Sequence, residues 1–148
     1  MVSKENREVF ADTTYWIALI NPGDDFHETA VSIAPQIKGA IIVTSDWVLN
    51  EFLTFYNRWN ELKEKALEIY DKIVGDPNVV VEPASKISFT DAVEKYRSEK
   101  TRSYSIVDCT SFNIMRARGI QDVLSADRHF EQEGFNNLLV ISPGGRDV

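Results

Sequence analysis

Four acidic residues stand at positions where carboxylates could act together in one reaction. Asp12 directly follows the apolar residues 9–11, and Asp127 closely follows the predicted strand 122–125. Glu51 falls in the second turn of one predicted helix, and Asp108 falls in the first turn of another. Carboxylates without His or Cys partners suit hard cations such as Mg²⁺ or Mn²⁺. Such a cation activates water and neutralises phosphate charge, so these residues suggest hydrolysis of a phosphodiester.

Hydroxyl-bearing residues flank these carboxylates and could orient them or the waters of a metal. They are Thr13, Thr14, Thr110 and Ser125. Each carboxylate also has a purely structural interpretation. The three aspartates fall where helix caps and first-turn acids are favoured, and Glu51 shares a polar helix stripe with Asn50 and Thr54. Position alone leaves both interpretations open.

The order of the predicted elements indicates how these residues could meet. Apolar or turn-bounded runs predict strands at residues 8–11, 40–44, 78–82, 122–125 and 137–141. Helical periodicity and capping patterns predict helices at residues 15–20, 26–38, 47–59, 62–74, 88–98 and 105–119, with a short helix between Asp127 and Gly134. Within these, Ser88 and Ser105 are the predicted capping-box residues, and Gly119 is the predicted helix end.

Strands that alternate with helices, several of them continuously apolar, predict a parallel sheet covered on both faces. The expected class is a three-layer α/β fold in a single domain over residues 1–148, with a folded core at about 8–142 and a loose tail at 143–148. Ligands bind such sheets beyond the carboxyl ends of strands where the strand order reverses. Asp12 and Asp127 would share that edge if the first and fourth strands are neighbours.

Composition narrows the range of functions. The 148 residues carry a formal net charge of −7, which argues against binding nucleic acid by a basic surface alone, although cations in an acidic site would offset part of that charge. The single cysteine, Cys109, excludes a disulfide framework or a thiolate zinc site. No apolar run is long enough to span a membrane, and the first residues lack the apolar core of a secretory signal. A cytoplasmic location is expected.

Four stretches of the sequence resemble the four signature segments of PIN domains, in particular those of VapC-like toxins. In chain order they are VFADTTYWIALINPGDDFHETA, IIVTSDWVLNEFLTF, SYSIVDCTSFNIMRARG and VLSADRHFEQEGF. They are distributed between residues 9 and 135, over nearly the whole length of the chain. Each segment contains one acidic residue of the family's active site, which corresponds here to Asp12, Glu51, Asp108 or Asp127.

This resemblance implies a five-stranded parallel sheet in the order 3-2-1-4-5 and an endoribonuclease that depends on Mg²⁺ or Mn²⁺. It further implies products with 5′-phosphate and 3′-hydroxyl ends, a toxin held inactive by a cognate antitoxin, and a homodimer. PIN domains also occur in RNA processing and decay, and some could act only as binding modules, so these settings remain alternatives.

Other residues are weaker candidates for a role in substrate binding or catalysis. Basic residues upstream of Asp108 could steer RNA phosphates, although acidic neighbours interrupt them. The candidate substrate contacts are Arg102, Arg116 and Arg128. His27 and Cys109 are interpreted as structural, and His129 as a surface residue outside the catalytic set.

Two other enzyme classes also place an aspartate after the first strand. A haloacid-dehalogenase-type phosphatase needs a second aspartate two residues later, where this chain has Thr14. A receiver-like domain needs an acidic pair before its phosphoacceptor strand and a late lysine after a strand, and neither feature is evident. The glycines form neither a dinucleotide fingerprint nor a P-loop.

Overall fold

A computed structural model describes residues 7–140 of the chain, and its centre is a five-stranded, all-parallel sheet. The strand order is β3-β2-β1-β4-β5, which confirms the predicted three-layer α/β class and strand order. The strands are β1 (Glu8–Ala11), β2 (Ile41–Ser45), β3 (Val79–Glu82), β4 (Asp122–Leu124) and β5 (Asn136–Asn137). The predicted tail at residues 143–148 lies outside the described residues.

β1 lies at the middle of the sheet because its side chains are apolar on both faces. Val9, Phe10 and Ala11 are completely buried, as are Val43 of β2 and Val123 of β4. β1 pairs with β2 on one side and with β4 on the other, so the strand order reverses between β1 and β4. The first and fourth strands are therefore neighbours, which places the residues after β1 and β4 at one edge.

The helices that connect the strands cover the sheet. They are α1 (Thr13–Ile20), α2 (His27–Ser32), α3 (Ala34–Ile37), α4 (Asp46–Phe55), α5 (Asn60–Gly75), α6 (Lys86–Ser98), α7 (Ile106–Arg118) and α8 (His129–Gln132). None of them, within residues 7–140, is both long and apolar enough to cross a membrane.

The helix predicted over residues 26–38 is instead two short helices, α2 and α3, joined at Ile33. Pro35 explains the break, because proline has no N–H to donate and its ring clashes with the carbonyl of the preceding helical turn. The next predicted helix, at residues 47–59, ends earlier than expected. α4 stops at Phe55, and a turn leads into α5 at Asn60.

Helix α6 begins before the predicted position. Ser85, and not Ser88, is its N-cap, and Ser88 is the third-position partner of the same capping box. Two serines three residues apart made either assignment possible from sequence. Ser105 forms the predicted capping box of α7 with Asp108, and Gly119 ends α7 in the left-handed region at φ 70°.

Strand β5 is shorter than the predicted residues 137–141, because its partner β4 ends at Leu124. β5 pairs with β4 through Asn136 and Asn137, and the Leu138 N–H donates to the Val123 carbonyl at 2.8 Å. The Leu139 N–H donates to the Asn137 side chain at 3.1 Å. Ile141, the last residue of the predicted strand, lies outside the described residues.

Candidate active site

The candidate site lies where the strand order reverses, at the carboxyl ends of β1 and β4. The Asp12 N–H donates to the Leu124 carbonyl at 3.0 Å, which brings the chain leaving β1 against the chain leaving β4. α4 follows β2 at the same edge and supplies Glu51, and the N-terminus of α7 supplies Asp108. This is the position at which open parallel sheets bind ligands.

The Asp12 carboxylate is held by hydroxyl groups. Ser125 donates to Asp12 Oδ2 at 2.9 Å and Thr14 donates to the same oxygen at 3.1 Å. Asp12 occupies the N-cap position of α1, but its side chain makes no capping hydrogen bond. The helix-cap interpretation therefore does not explain why a carboxylate is buried here, with only 4% of Asp12 exposed.

Glu51 is half buried and faces the same edge as Asp12. Its Oε1 accepts a hydrogen bond from the Thr13 hydroxyl at 2.7 Å, which joins α4 to the start of α1. Its neighbours on the predicted polar stripe, Asn50 and Thr54, are exposed. The Thr13 contact turns Glu51 away from the solvated face that its sequence neighbours suggested.

Asp108 has both of the roles considered from sequence. Its Oδ2 accepts the Ser105 N–H at 3.0 Å, which completes the capping box of α7. The same oxygen also lies 2.8 Å from His129 Nδ1. Asp108 is buried, and its negative charge raises the pKa of both Asp12 and Glu51, so it lies within electrostatic reach of the other carboxylates.

His129 joins Asp127 to Asp108. Its Nδ1 lies 3.3 Å from Asp127 Oδ1 as well as 2.8 Å from Asp108 Oδ2, while its backbone N–H donates to Asp127 Oδ1 at 3.0 Å. One ligand atom from each of these three residues lies within 4.8 Å of the others. The sequence interpretation of His129 as a surface residue missed this arrangement, for which only its position two residues after Asp127 was a signal.

Within the described part of the chain, the carboxylates lack ion-pair partners from lysine or arginine. Among residues 7–140, no lysine or arginine forms an ion pair with any of the four. Burial, with a further contribution from Asp108, raises the pKa of Asp12 to about 7. Burial also raises the pKa of Glu51. The site therefore concentrates negative charge that a bound cation would stabilise.

The PIN domain family model matches residues 9–136 of the chain. The chain belongs to the PIN domain family.

A named relative of this PIN domain is the 23S rRNA-specific endonuclease VapC20 of Mycobacterium tuberculosis. VapC20 from each of two strains, CDC 1551 / Oshkosh and ATCC 25618 / H37Rv, is 35% identical over 127 residues, which are 86% of this chain and 95% of VapC20. The crystal structure of VapC20, described as a sarcin-ricin loop cleaving toxin, matches with a TM-score of 0.77 at 35% identity, over 86% of this chain and 95% of that one.

In this PIN domain, residues outside the acidic cluster hold the His129 ring in position. The Tyr104 ring packs edge-on against the His129 ring with centroids 5.3 Å apart, and the Tyr104 hydroxyl donates to Glu133 at 2.9 Å. Lys95 and Arg116 form ion pairs with Glu133 at 2.8 and 3.0 Å. Burial alone would raise the pKa of Glu133, but these hydrogen bonds lower it overall. The Glu133 carboxylate is thus a stable anchor for Tyr104.

The remaining predicted supporting and binding residues have different surroundings. Thr110 is buried and donates to the Val107 carbonyl at 2.6 Å, within its own helix. Arg116 is engaged by Glu133 and lies over the Phe135 ring, with 4.9 Å between its guanidinium carbon and the ring centroid. Arg128 is exposed and pairs with Glu131 at 3.3 Å. Arg102 lines a cleft next to Ser105.

The two residues interpreted as structural have structural contacts. His27 Nδ1 lies 2.7 Å from the Ala18 carbonyl and links α2 to α1. Cys109 is completely buried, and burial raises the pKa of its thiol to about 11. A thiol that stays protonated at neutral pH is a poor nucleophile.

Proposed function

We propose that this PIN domain is a metal-dependent endoribonuclease that hydrolyses RNA phosphodiesters at Asp12, Glu51, Asp108 and Asp127. One observation carries the proposal: the four carboxylates lie at the edge of the sheet where the strand order reverses, Asp108 within electrostatic reach of Asp12 and Glu51 and clustered with Asp127 and His129, and no lysine or arginine among residues 7–140 forms an ion pair with them. Acidic residues that only cap helices would not need to lie together at one edge of the sheet.

The donor set fits Mg²⁺ or Mn²⁺, because both cations prefer carboxylate oxygens. Asp12, Glu51, Asp108 and Asp127 would hold the metal. Burial and Asp108 raise the pKa of Asp12 to about 7, and a bound cation would favour the ionised form of this carboxylate. When bound, a divalent cation makes water a stronger nucleophile and offsets charge on the phosphate.

The residues around the carboxylates fix their geometry. Ser125 and Thr14 orient Asp12, and Thr13 orients Glu51. The Asp127 N–H donates to Ser125 Oγ at 2.9 Å, so one hydroxyl connects Asp12 with the backbone of Asp127. Because these hydrogen bonds exist before substrate arrives, the carboxylates do not need to reorganise on binding.

The relatives favour a toxin setting for this activity. VapC20 is described as a toxin that cleaves the sarcin-ricin loop, and it shares 35% identity with this chain. We therefore propose RNA, with ribosomal RNA as the first substrate to test, a cytoplasmic location, and a cognate antitoxin that inhibits by covering the acidic edge. Homodimer formation remains a prediction from the family resemblance.

A cleavage assay tests the nuclease proposal. Purified protein is incubated with ribosomal RNA and with mixed cellular RNA while Mg²⁺ or Mn²⁺ is titrated, and the ends of the products are identified. The proposal expects cleavage that EDTA abolishes, with 5′-phosphate and 3′-hydroxyl ends. Products with 2′,3′-cyclic phosphates would show that the ribose hydroxyl is the nucleophile, and no cleavage of any RNA would favour a binding module.

A pull-down tests the toxin setting separately. The tagged protein is expressed in its native host, and co-purifying proteins are identified by mass spectrometry. A small partner that abolishes the cleavage activity supports the antitoxin. Active enzyme that recovers no inhibitory partner favours an RNA-processing nuclease.

A further inference from the structure

A second polar cleft lies beside the acidic site, between the end of α6 and the start of α7. Its volume is about 510 Å³, and its lining residues are Tyr96, Glu99, Arg102, Ser103, Tyr104 and Ser105. This volume falls within the range of about 300–1,000 Å³ that is usual for small-molecule sites. The cleft is therefore large enough for one nucleotide.

Two of the lining residues connect the cleft to the carboxylates. Ser105 exchanges two hydrogen bonds with Asp108, each of 3.0 Å, in the α7 capping box. Tyr104 packs against His129, which contacts both Asp108 and Asp127. An RNA strand whose phosphate lies at the carboxylates would therefore pass the mouth of this cleft with an adjacent nucleotide.

Arg102 is the cation that this cleft offers to a phosphate. Arg116 and Arg128 are already paired with Glu133 and Glu131, whereas Arg102 belongs to no ion pair formed within residues 7–140. Glu99 also lines the cleft as a carboxylate whose pKa is lowered by the Thr101 N–H and hydroxyl, both at 3.1 Å, and further by the charge of Arg102. Arg102 nevertheless forms no ion pair with Glu99, so its guanidinium can still contact a phosphate.

Tyr96 is the aromatic surface that the cleft offers to a base. It is 52% exposed, although aromatic side chains of this size are usually covered, whereas the other lining tyrosine, Tyr104, is buried and fixed by Glu133. Stacking on an exposed aromatic ring is the common way in which proteins hold an unpaired base, and an arginine beside it suits the phosphate of the same nucleotide.

We propose that this cleft binds a single-stranded ribonucleotide next to the scissile phosphate, with Arg102 on its phosphate and Tyr96 stacked on its base. The proposal rests on the nuclease function proposed above. The cleft would supply a specific contact to RNA. Such a contact matters because a protein with a net charge of −7 does not attract RNA through its overall charge.

Steady-state kinetics on a labelled single-stranded RNA test this subsite. Arg102→Ala and Tyr96→Ala are each expected to raise KM about tenfold, in line with one lost phosphate contact or one lost stacked base, with kcat within about twofold. Tyr96→Phe keeps the ring and should keep the wild-type KM. Arg97→Ala is the matched control, because Arg97 is exposed nearby and pairs with Glu94.

Salt dependence separates a phosphate contact from a structural effect. The slope of log(1/KM) against log[NaCl] should become shallower by about 0.7 in Arg102→Ala, as for one phosphate on a single strand, and should not change in Tyr96→Ala. Unchanged melting temperatures, with and without Mn²⁺, would show that the fold and metal site are intact.

Wild-type KM values in both Arg102→Ala and Tyr96→Ala would overturn the subsite while leaving the nuclease proposal standing. If the wild type cleaves no RNA, the nuclease proposal fails first. The subsite is then tested by fluorescence anisotropy with the same RNA in Mn²⁺, where weaker binding by both variants supports it. Equal affinities, or no binding by any protein, would overturn it.

Discussion

Asp12 is the residue whose ionisation the metal-free fold opposes most clearly. Burial, followed by the charge of Asp108, raises its pKa from 3.8 to about 7. A raised carboxyl pKa stabilises the fold fully below the unfolded value, and this stabilisation is lost as pH rises through the folded value. In EDTA, the Asp12 contribution to the free energy of unfolding should therefore fall between about pH 4 and 7.

Chemical denaturation of wild type and Asp12→Asn across this pH range tests that expectation. Asparagine keeps the shape of the side chain without the charge, so the variant should gain stability relative to wild type as pH rises and should be the more stable protein above pH 7. A stability difference between the two proteins that does not change with pH would mean that Asp12 ionises normally.

Metal affinity should show the opposite trend over the same pH range. A cation binds the ionised carboxylate, so the dissociation constant for Mn²⁺ should improve by up to about tenfold per pH unit as pH rises toward 7, and should level off above it. Calorimetric titration at several pH values measures this. If the stability measurements confirm the raised pKa of Asp12, an affinity that is flat from pH 5 to 7 would exclude Asp12 as a ligand.

His129 is expected to matter through the two aspartates that it joins. His129→Ala should weaken metal-dependent cleavage by about tenfold or more, as outer partners of metal ligands commonly do. His27→Ala is the control, because His27 contacts the Ala18 carbonyl and, within residues 7–140, forms no ion pair with the four carboxylates. This variant should affect stability alone. If both variants retain full cleavage, His129 has no part in arranging the site.

The residues of the site were partly accessible to sequence reasoning. Apolar runs predicted the strands, and the resemblance to PIN domains implied that the first and fourth strands are neighbours, so the proximity of the chain segments at Asp12 and Asp127 was expected. The contact between His129 and Asp108 was not, because it joins residues 21 positions apart through the packing of α8 beside α7. Local patterns carry no information about such a contact.

At the scale of elements, α7 has a defined residue at each end, and its start carries Asp108. Ser105 caps its start, and Gly119 ends it at φ 70°. A Cβ at position 119 would meet no atom within 4 Å, so Gly119→Ala adds no steric clash. The variant should lose about 1–2 kcal/mol of unfolding free energy, because alanine is unfavourable in the left-handed backbone region. Thermal and urea unfolding should show this loss.

The site itself should tolerate this substitution, because Gly119 lies at the end of α7 opposite to Asp108. Cleavage by Gly119→Ala at a temperature well below its melting point should match the wild type. Gly75→Ala is a useful comparison, since Gly75 has no positive φ and equal open space, and it should not lose stability in the same way.

Sequence patterns alone did not determine the residues at which some strands and helices begin or end. Period and composition predicted all five strands, but β5 ends at Asn137 and not at residue 141, because its partner β4 ends at Leu124. Ser85 and Ser88 were equivalent in local pattern, and Ser88 also accepts the Trp47 indole N–H at 3.2 Å, a contact from α4. Tertiary contacts therefore set boundaries that propensity leaves open.

At the scale of the whole molecule, the four carboxylates come from four separate segments that the sheet brings to one edge. If they form one metal site, their effects on cleavage will not add. The double variant Asp12→Asn/Asp127→Asn should be about as inactive as the more impaired single variant. Losses that multiply would indicate independent roles, and background cleavage in a variant of all four positions sets the floor of the assay.

The most direct test of the central claim measures metal-dependent RNA cleavage by wild type and by Asp12→Asn, Glu51→Gln, Asp108→Asn and Asp127→Asn. Asp71→Asn on α5, an exposed aspartate, is the matched control. The account predicts cleavage by wild type and control in Mg²⁺ or Mn²⁺, and loss of about 100-fold or more in each site variant, all of them folded. Full metal-dependent cleavage by the four site variants would contradict the assigned site.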